Sequence, residues 1–322
     1  MQIARFFGSI NEISKKILTM AQNKVLVYGS VAYDSIETPF DKEEYILGGS
    51  ASYAALAASF FAPASIVGVV GEDFKESDIK RLLARGVNLD GLQIKKGEKT
   101  FFWRGKYYLN FNKRDTLEVA LNVSEHCLVE VPQSQRDAQF VLLGNNDPMS
   151  QTKVLDSVTS PKFTVLDTMN LWIETALKQV KELIKRVDLL ILNDSEAQQL
   201  ANENNVIVCG DILRDMGAKT VIIKKGEHGA MLFHKDGFFT ICAYPVRSLH
   251  DPTGAGDSFA GALTGYLAKC DSVDFNTLKE AMIVGSAVAS ITVESFSCYK
   301  LEKAGLAEIE ARVKYIKEIS QL

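Results

Sequence analysis

Apolar residues along this chain fall into two patterns that alternate. Short unbroken runs are followed by longer stretches in which apolar positions recur at helical spacing. The first run, Lys24-Val25-Leu26-Val27-Tyr28, is closed by Gly29-Ser30 and predicts a buried strand ending in a turn. Similar runs predict strands over 64–70, 140–143, 163–166, 189–192 and 221–223. Helical spacing is found over 51–61, 75–85, 151–158, 172–184, 195–201, 258–269 and 277–293, with a charged helix over 302–318 at the end. Gly86 is the expected stop of the 75–85 helix. Strand and helix in regular alternation argue for an α/β fold: a doubly wound, mainly parallel sheet with helices on both faces.

Three segments break the rhythm. Two apolar runs within 229–244 flank Lys235-Asp236-Gly237 and predict a hairpin. Residues 35–45 are more polar and contain Pro39, which fits an exposed excursion. Residues 100–112, Thr-Phe-Phe-Trp-Arg-Gly-Lys-Tyr-Tyr-Leu-Asn-Phe-Asn, have β-propensity without helical spacing, and Gly105-Lys106 is the expected turn of a strand pair. A small β lid with strands at about 35–46 and 99–112, over one domain spanning 20–322, is the resulting expectation. Such a lid reads either as a half-buried surface hairpin or as a cover over a ligand, with Phe102, Trp103 and Tyr108 as covering side chains.

Composition narrows the class. With 322 residues the chain can bury a full core. Lys and Arg number 36 against 40 Asp and Glu, a formal charge of −4, and no basic block occurs, which argues against a nucleic-acid partner. The five cysteines are dispersed, odd in number and lack a Cys-x-x-Cys, so reduced, buried thiols in a cytoplasmic protein are expected. No apolar run reaches the roughly 18 residues of a membrane span. Residues 1–19 precede a second methionine, Met20, and carry Arg5, Lys15 and Lys16 against one acid, Glu12. They read as an N-terminal extension, a targeting segment or an over-long start.

Chemistry concentrates in Asp251-Pro252-Thr253-Gly254-Ala255-Gly256-Asp257-Ser258-Phe259-Ala260-Gly261. A glycine-rich turn opening a helix is an anion site, because free N–H groups and the helix dipole favour negative charge. An aspartate there repels a phosphate unless it serves as a base; the plain alternative is that Asp257 caps the helix. Asp34 lies just past the first strand, at the sheet edge where α/β proteins bind ligands. Gly48-Gly49-Ser50 opens the second helix, with Ser50 as the expected N-cap and glycines that admit close backbone approach.

These motifs, in this order, resemble those of the PfkB/ribokinase family of carbohydrate and nucleoside kinases, across nearly the whole chain after Met20. Gly29-Ser30 with Asp34 resembles its first substrate turn, and Gly48-Gly49 its N-terminal signature. Asn193-Asp194-Ser195-Glu196 resembles its Asn-x-x-Glu motif, Lys225-Gly226 with Gly229 its nucleotide turn, and 251–261 its second signature. The resemblance implies a ribokinase-like kinase that moves the γ-phosphate of ATP to a hydroxyl of a sugar or sugar derivative, with nucleosides as the alternative acceptors. Asp257 would be the catalytic base, and the backbone of Gly254, Ala255 and Gly256 the anion hole. Asp34, Gly48, Gly49, Tyr53 and Trp103 would bind substrate. Asn193, Lys225, Gly226, Gly229 and Ser286 would bind ATP, Glu196 would act on Mg²⁺ through water, and Asp251 and Thr253 would hold K⁺. A homodimer through the lid is a further implication. Two positions depart from the pattern: relatives place Asn where this chain has Ala32 and Tyr53, which weakens the usual contacts to ribose. Tyr33 and Tyr53 would instead make the pocket narrower or more aromatic.

Rival readings fare worse. A dinucleotide-binding fingerprint belongs at the first strand–helix turn, not near the C-terminus. No Gly-x-x-x-x-Gly-Lys-Ser/Thr exists. The four histidines, 126, 228, 234 and 250, lack metal-ligand spacing. A catalytically silent regulatory relative would be expected to have lost Asp257 or its glycines, and all are present.

Overall fold

The computed structural model of the protein describes residues 23–127 and 129–321; the segment 1–19 lies outside them. A nine-stranded sheet forms the centre, in the order β13-β12-β11-β10-β9-β8-β1-β4-β5. Its strands are β1 (Val25–Tyr28), β4 (Ala64–Gly71), β5 (Asn88–Lys95), β8 (Phe140–Leu143), β9 (Phe163–Asp167), β10 (Leu189–Asn193), β11 (Thr220–Lys224), β12 (Ala230–His234) and β13 (Gly237–Ile241). From β11 to β5 every pairing is parallel; β12 and β13 add an antiparallel hairpin at one edge.

Both faces of this sheet are buried, which is why its strands read as unbroken apolar runs. Val25 and Val27 enter the core on one side, with Leu142, Ile191 and Ile222. Leu26 and Tyr28 enter the core on the other, with Val141, Leu143, Leu190 and Ile223. The chain runs from β1 outward to β4 and β5, then returns to place β8 on the other side of β1. The ends of β1 and β8 therefore flank the point where strand order reverses, the usual ligand crevice of such sheets.

Two helices meet over this crevice. Ser50–Ala58 packs against Ala255–Cys270 with almost no side chain between them. A Cβ at Gly261 would lie 2.1 Å from the Ala54 carbonyl oxygen, and one at Gly265 would lie 2.7 Å from that of Ala58. Such contact is available only to small residues, and it fixes the N-termini of both helices side by side.

A second sheet, β3-β2-β6-β7, covers this end of the molecule. It comprises β2 (Ala32–Glu37), β3 (Lys42–Gly48), β6 (Phe101–Tyr107) and β7 (Arg114–Ala120). Two expectations are corrected here. Of the expected exposed excursion over 35–45, Ser35 and Ile36 are instead buried in β2, since both neighbours of β2 pair with it, while residues 39–42, 44 and 45 are exposed. Gly105-Lys106 is not a turn: β6 runs straight through it, and the reversal occurs over 108–113. Gly105 is needed for space instead, because a Cβ there would sit 2.0 Å from the Trp103 ring.

Other boundaries shift for local reasons. The 172–184 helix is two pieces, Asn170–Thr175 and Leu177–Ile184, broken at the non-helical Ala176. The break lets Ile173 in the first piece and Val180, Leu183 and Ile184 in the second reach the same core. The C-terminal helix is likewise split at Gly305 into Tyr299–Lys303 and Leu306–Ile319. All five cysteines are free, as expected, but only Cys209 and Cys298 are buried. Among the described residues no helix is long and apolar enough to cross a membrane.

Candidate active site

The Asp251 string folds as a tight turn feeding a helix that begins three residues earlier than its periodicity predicts. Gly254, at φ 78°, is the N-cap, so Asp257 lies within the first turn of Ala255–Cys270 and caps nothing. Thr253 N–H donates to Asp251 Oδ1 at 2.9 Å, and the N–H groups of His250 and Asp251 donate to the Val293 carbonyl. Ala255 was expected to offer its N–H to an anion, but donates it to Pro252 O at 3.2 Å. Among the described residues the N–H groups of Gly254 and Gly256 find no acceptor. These two, with the helix dipole behind them, are free to accept an anion.

Lys224, at the end of β11, was not anticipated. Its ammonium lies 2.8 Å from where a Gly256 Cβ would be and 3.5 Å from Asp167 Oδ2 at the end of β9. Burial alone would lower its pKa; Asp167, Glu196 and Asp257 outweigh that and raise it. The adjacent Lys225, expected from the sequence at this site, closes the 225–229 turn with its N–H on Gly229 O at 2.8 Å. Gly229, at φ 88°, leaves no room for a side chain against Ile241 O. The signal for Lys224 was present: in a strand, one of two consecutive lysines must face the opposite way from its neighbour.

Asn193 and Glu196 form a reciprocal capping box on the helix Asp194–Ala201. Asn193 Oδ1 accepts from Glu196 N–H at 2.8 Å, and Glu196 Oε2 accepts from Asn193 N–H at 2.7 Å. The Asn193 carbonyl oxygen is thus committed to the helix. Glu196 stays buried near Lys224, with its pKa pushed to about 7 by burial. Ser286 is buried within the helix Phe275–Thr292.

On the other side of the crevice, Asp34 points inward from β2. Its register partners are Ile46 on β3 and Trp103 on β6, so all three share the inner face of the small sheet. Gly48 lets the carboxylate in: a Cβ there would overlap Asp34 Oδ2 at 1.9 Å. Gly49, at φ 88°, is the helix N-cap in place of the expected Ser50. Ser50 Oγ instead accepts from Ser30 N–H at 3.0 Å and donates to Asn145 O at 3.1 Å, tying the ends of β1 and β8 together. Two tyrosines turn away from the open pocket. Tyr33 Oη donates to Asp78 at 3.0 Å, and the Tyr53 ring packs under Gly254, so aromatic character facing the crevice comes from Trp103 and Tyr107.

The electrostatics are lopsided. Burial raises the pKa of Asp34 to about 8, helped by Asp251 and Asp257; that of Asp251 to about 7; and that of Asp257 to about 6, helped by Asp167. With Asp167 and Glu196 there are five carboxyl groups, against Lys224 and, from β7, Arg114. Fully ionised, this pocket lacks three positive charges, and it fits a ligand that arrives with cations. Asp251 Oδ2 is buried without a partner, as a bound cation would require. The pair Lys224 and Asp257 gives one expected outcome. Lys224→Met removes a charge that lowers the Asp257 pKa, so the acid limb of any turnover should move to higher pH. A loss of about tenfold or more in kcat/KM should accompany it, the worth of a hydrogen bond to a charged group.

A buried carboxyl group in the first turn of a helix, two free N–H groups and a buried lysine, across a crevice from a second buried aspartate, form a site suited to phosphoryl transfer to an alcohol. Sequence comparison agrees: the profile of the pfkB family of carbohydrate kinases matches residues 22–304. The chain belongs to that family. It is 29% identical over 252 residues to a cytidine kinase of Thermococcus kodakarensis, covering 75% of this chain and 88% of that one. It is 26% identical over 270 residues to a nucleoside kinase of Methanocaldococcus jannaschii, covering 82% and 84%. Arabidopsis thaliana ribokinase, solved with ribose and ATP, superposes with a TM-score of 0.72 at 20% identity, over 91% of this chain and 99% of that one. A protein of E. coli described as a ribokinase II, whose structure superposes with a TM-score of 0.74 at 19% identity over 91% of this chain and 99% of that one, was solved with ATP and Mg²⁺.

Proposed function

We propose that this chain phosphorylates a hydroxyl on the sugar of a nucleoside, using MgATP, in the cytoplasm. The observation that carries the reaction is the placement of Asp257 at the anion hole, across the crevice from Asp34. The acceptor hydroxyl, oriented by Asp34, attacks the γ-phosphorus as its proton passes to Asp257. The new O–P bond forms while the bond from phosphorus to the β,γ-bridging oxygen breaks, and ADP leaves with that electron pair. The N–H groups of Gly254 and Gly256 and the Lys224 ammonium stabilise charge on the transferring phosphoryl. Mg²⁺ would neutralise phosphate charge when bound, and Glu196 would hold it through water. K⁺ is assigned to the unpartnered Asp251 Oδ2 and to Thr253.

A nucleoside is favoured over a free sugar for two reasons. Asn side chains that would hold the hydroxyls of a free pentose are replaced by Ala32 and Tyr53, and Trp103, in register with Asp34, brings aromatic character to that side of the small sheet. The two curated relatives described above are a cytidine kinase and a nucleoside kinase. ADP release across a panel of ribonucleosides and pentoses, with K⁺ replaced by Na⁺ in a parallel series, tests this. Turnover is expected with nucleosides and should fall when K⁺ is withdrawn. Turnover with pentoses alone would sink the nucleoside assignment, and equal rates in Na⁺ would sink the cation assignment. The small sheet acts as a lid in this reading. Its edge strand β7 is exposed, with Leu117 and Val119 uncovered, which supports pairing with a second copy of the chain.

A further inference from the structure

A closed circuit of hydrogen bonds lies behind the acceptor side of the crevice, apart from the residues that transfer the phosphoryl group. Tyr33 and Asp34 are neighbours in β2 and so point to opposite faces of the small sheet. Tyr33 reaches the helix Glu76–Ala84, whose N-cap, Lys75, supplies no capping side chain. The Tyr33 hydroxyl accepts from Lys75 N–H at 2.7 Å and donates to Asp78 Oδ2 at 3.0 Å. In an ordinary capping box the acid at the third helical position accepts the N-cap N–H directly. Here a phenol from another element stands between the two.

From Asp78 the circuit runs through Arg81 to the C-terminal part of the chain. Arg81 Nη1 donates to Asp78 Oδ1 at 2.8 Å, and Arg81 Nε donates to both oxygens of Glu302, at 3.0 and 3.1 Å. Glu302 lies on the short helix Tyr299–Lys303. Just before that helix, Ser297, held at φ 52°, donates its hydroxyl to Leu47 O at 2.6 Å. Leu47 is the register partner of Tyr33, so the circuit closes on the row of β2 and β3 next to Asp34. Tyr33, Asp78, Ser297 and Leu47 are all buried. Cys298, fully buried, is acted on by the charges of Glu302, Arg81 and Asp34 alike, which puts the circuit close behind the acceptor carboxylate. Directly after Asp34 the register of β2 with β3 shifts, so on that side Asp34 is held from the rows before it.

We propose that Tyr33 and Arg81 are positioning residues: through this circuit they fix Asp34 against the body of the molecule and set where the acceptor hydroxyl is presented to Asp257. The inference rests on the kinase reading above and deepens it, because acceptor geometry then depends on side chains that never touch the acceptor. A displacement of about 1 Å in a positioning group can cost on the order of a hundredfold in rate, so a small relaxation of β2 is enough to be read in kinetics.

Tyr33→Phe keeps the aromatic contacts with Phe74 and Lys75 and removes only the bridging hydroxyl. With the best acceptor of the nucleoside panel, its kcat/KM should fall about tenfold or more, while calorimetric binding of MgADP stays within about twofold of the parent. Arg81→Met should behave alike. Arg81→Lys should recover only part, because one ammonium cannot hold Asp78 and Glu302 as the guanidinium fork does. All assays are run well below the melting temperature of each variant. A lower melting temperature with acceptor kcat/KM unchanged would mark the circuit as purely structural and overturn the assignment, and so would equal losses in acceptor kcat/KM and in MgADP affinity. A parent protein that binds MgADP but turns over no acceptor would overturn the kinase reading itself, and this proposal with it.

Discussion

Asp257→Asn should lower kcat by about 10²–10⁴, the usual contribution of a positioned general base, and leave nucleotide binding nearly intact. The wild-type acid limb should have its midpoint near pH 6, where Asp257 titrates, and the residual activity of the variant should lose that limb. Activity falls as pH falls, because the working form of the base is the ionised one. Stability runs the other way. The folded pKa lies above the ordinary value of 3.8, so the folded state holds this proton more tightly than the unfolded chain does. This group's contribution to stability is therefore present below about pH 4 and is lost as pH rises through about 6. At pH 7 the Asn variant should be at least as stable as the parent by thermal melting. A variant that is inactive and also less stable would point to a structural role for Asp257.

Gly254→Ala should be the second most damaging single change. The residue sits at φ 78°, and its new methyl group would lie 2.4 Å from the Tyr53 ring. A non-glycine residue in that region costs of order 1–3 kcal/mol, and the clash adds to it. The turn would also shift the Gly254 N–H out of the anion hole, worth about 10²–10³ in kcat. Pairing the change with Tyr53→Ala removes the clash but not the backbone strain. Stability should recover in part in the double variant, whereas kcat should not. Full recovery of both would mean that the positive φ is dispensable.

The central sheet was legible because its strands are buried on both faces and stand out as unbroken apolar runs between periodic helices. The edges were not. β5, Asn-Leu-Asp-Gly-Leu-Gln-Ile-Lys, and β7, Arg-Asp-Thr-Leu-Glu-Val-Ala, are half-exposed or exposed, and only their neighbours make them strands. The small sheet suffered most: aromatic content marked β6, but Gly105 read as a turn when its function is to make space for Trp103. Within the candidate site, residues carried by glycine-rich motifs are legible because such motifs have local physical signatures. Lys224, Asp167 and Arg114 have none. Each is an ordinary charged residue at a strand end, and its meaning depends on which strands the topology brings together. The capping box shows the converse, since Asn193 and Glu196 satisfy a local helix rule and a family motif with the same atoms.

The seam where Gly261 and Gly265 meet the backbone of Ala54 and Ala58 sets a limit on how this enzyme can change. It joins the helices Ser50–Ala58 and Ala255–Cys270 by direct contact of main chains at these two positions. The helix N-termini at Gly49 and Gly254 are thus held side by side by atomic radii. A bulkier acceptor has to be accommodated by altering the covering sheet, since any enlargement of the floor would separate the helices and misalign the base with the anion hole. Directed changes of specificity should therefore accumulate in β2, β3, β6 and β7, while the seam tolerates almost none.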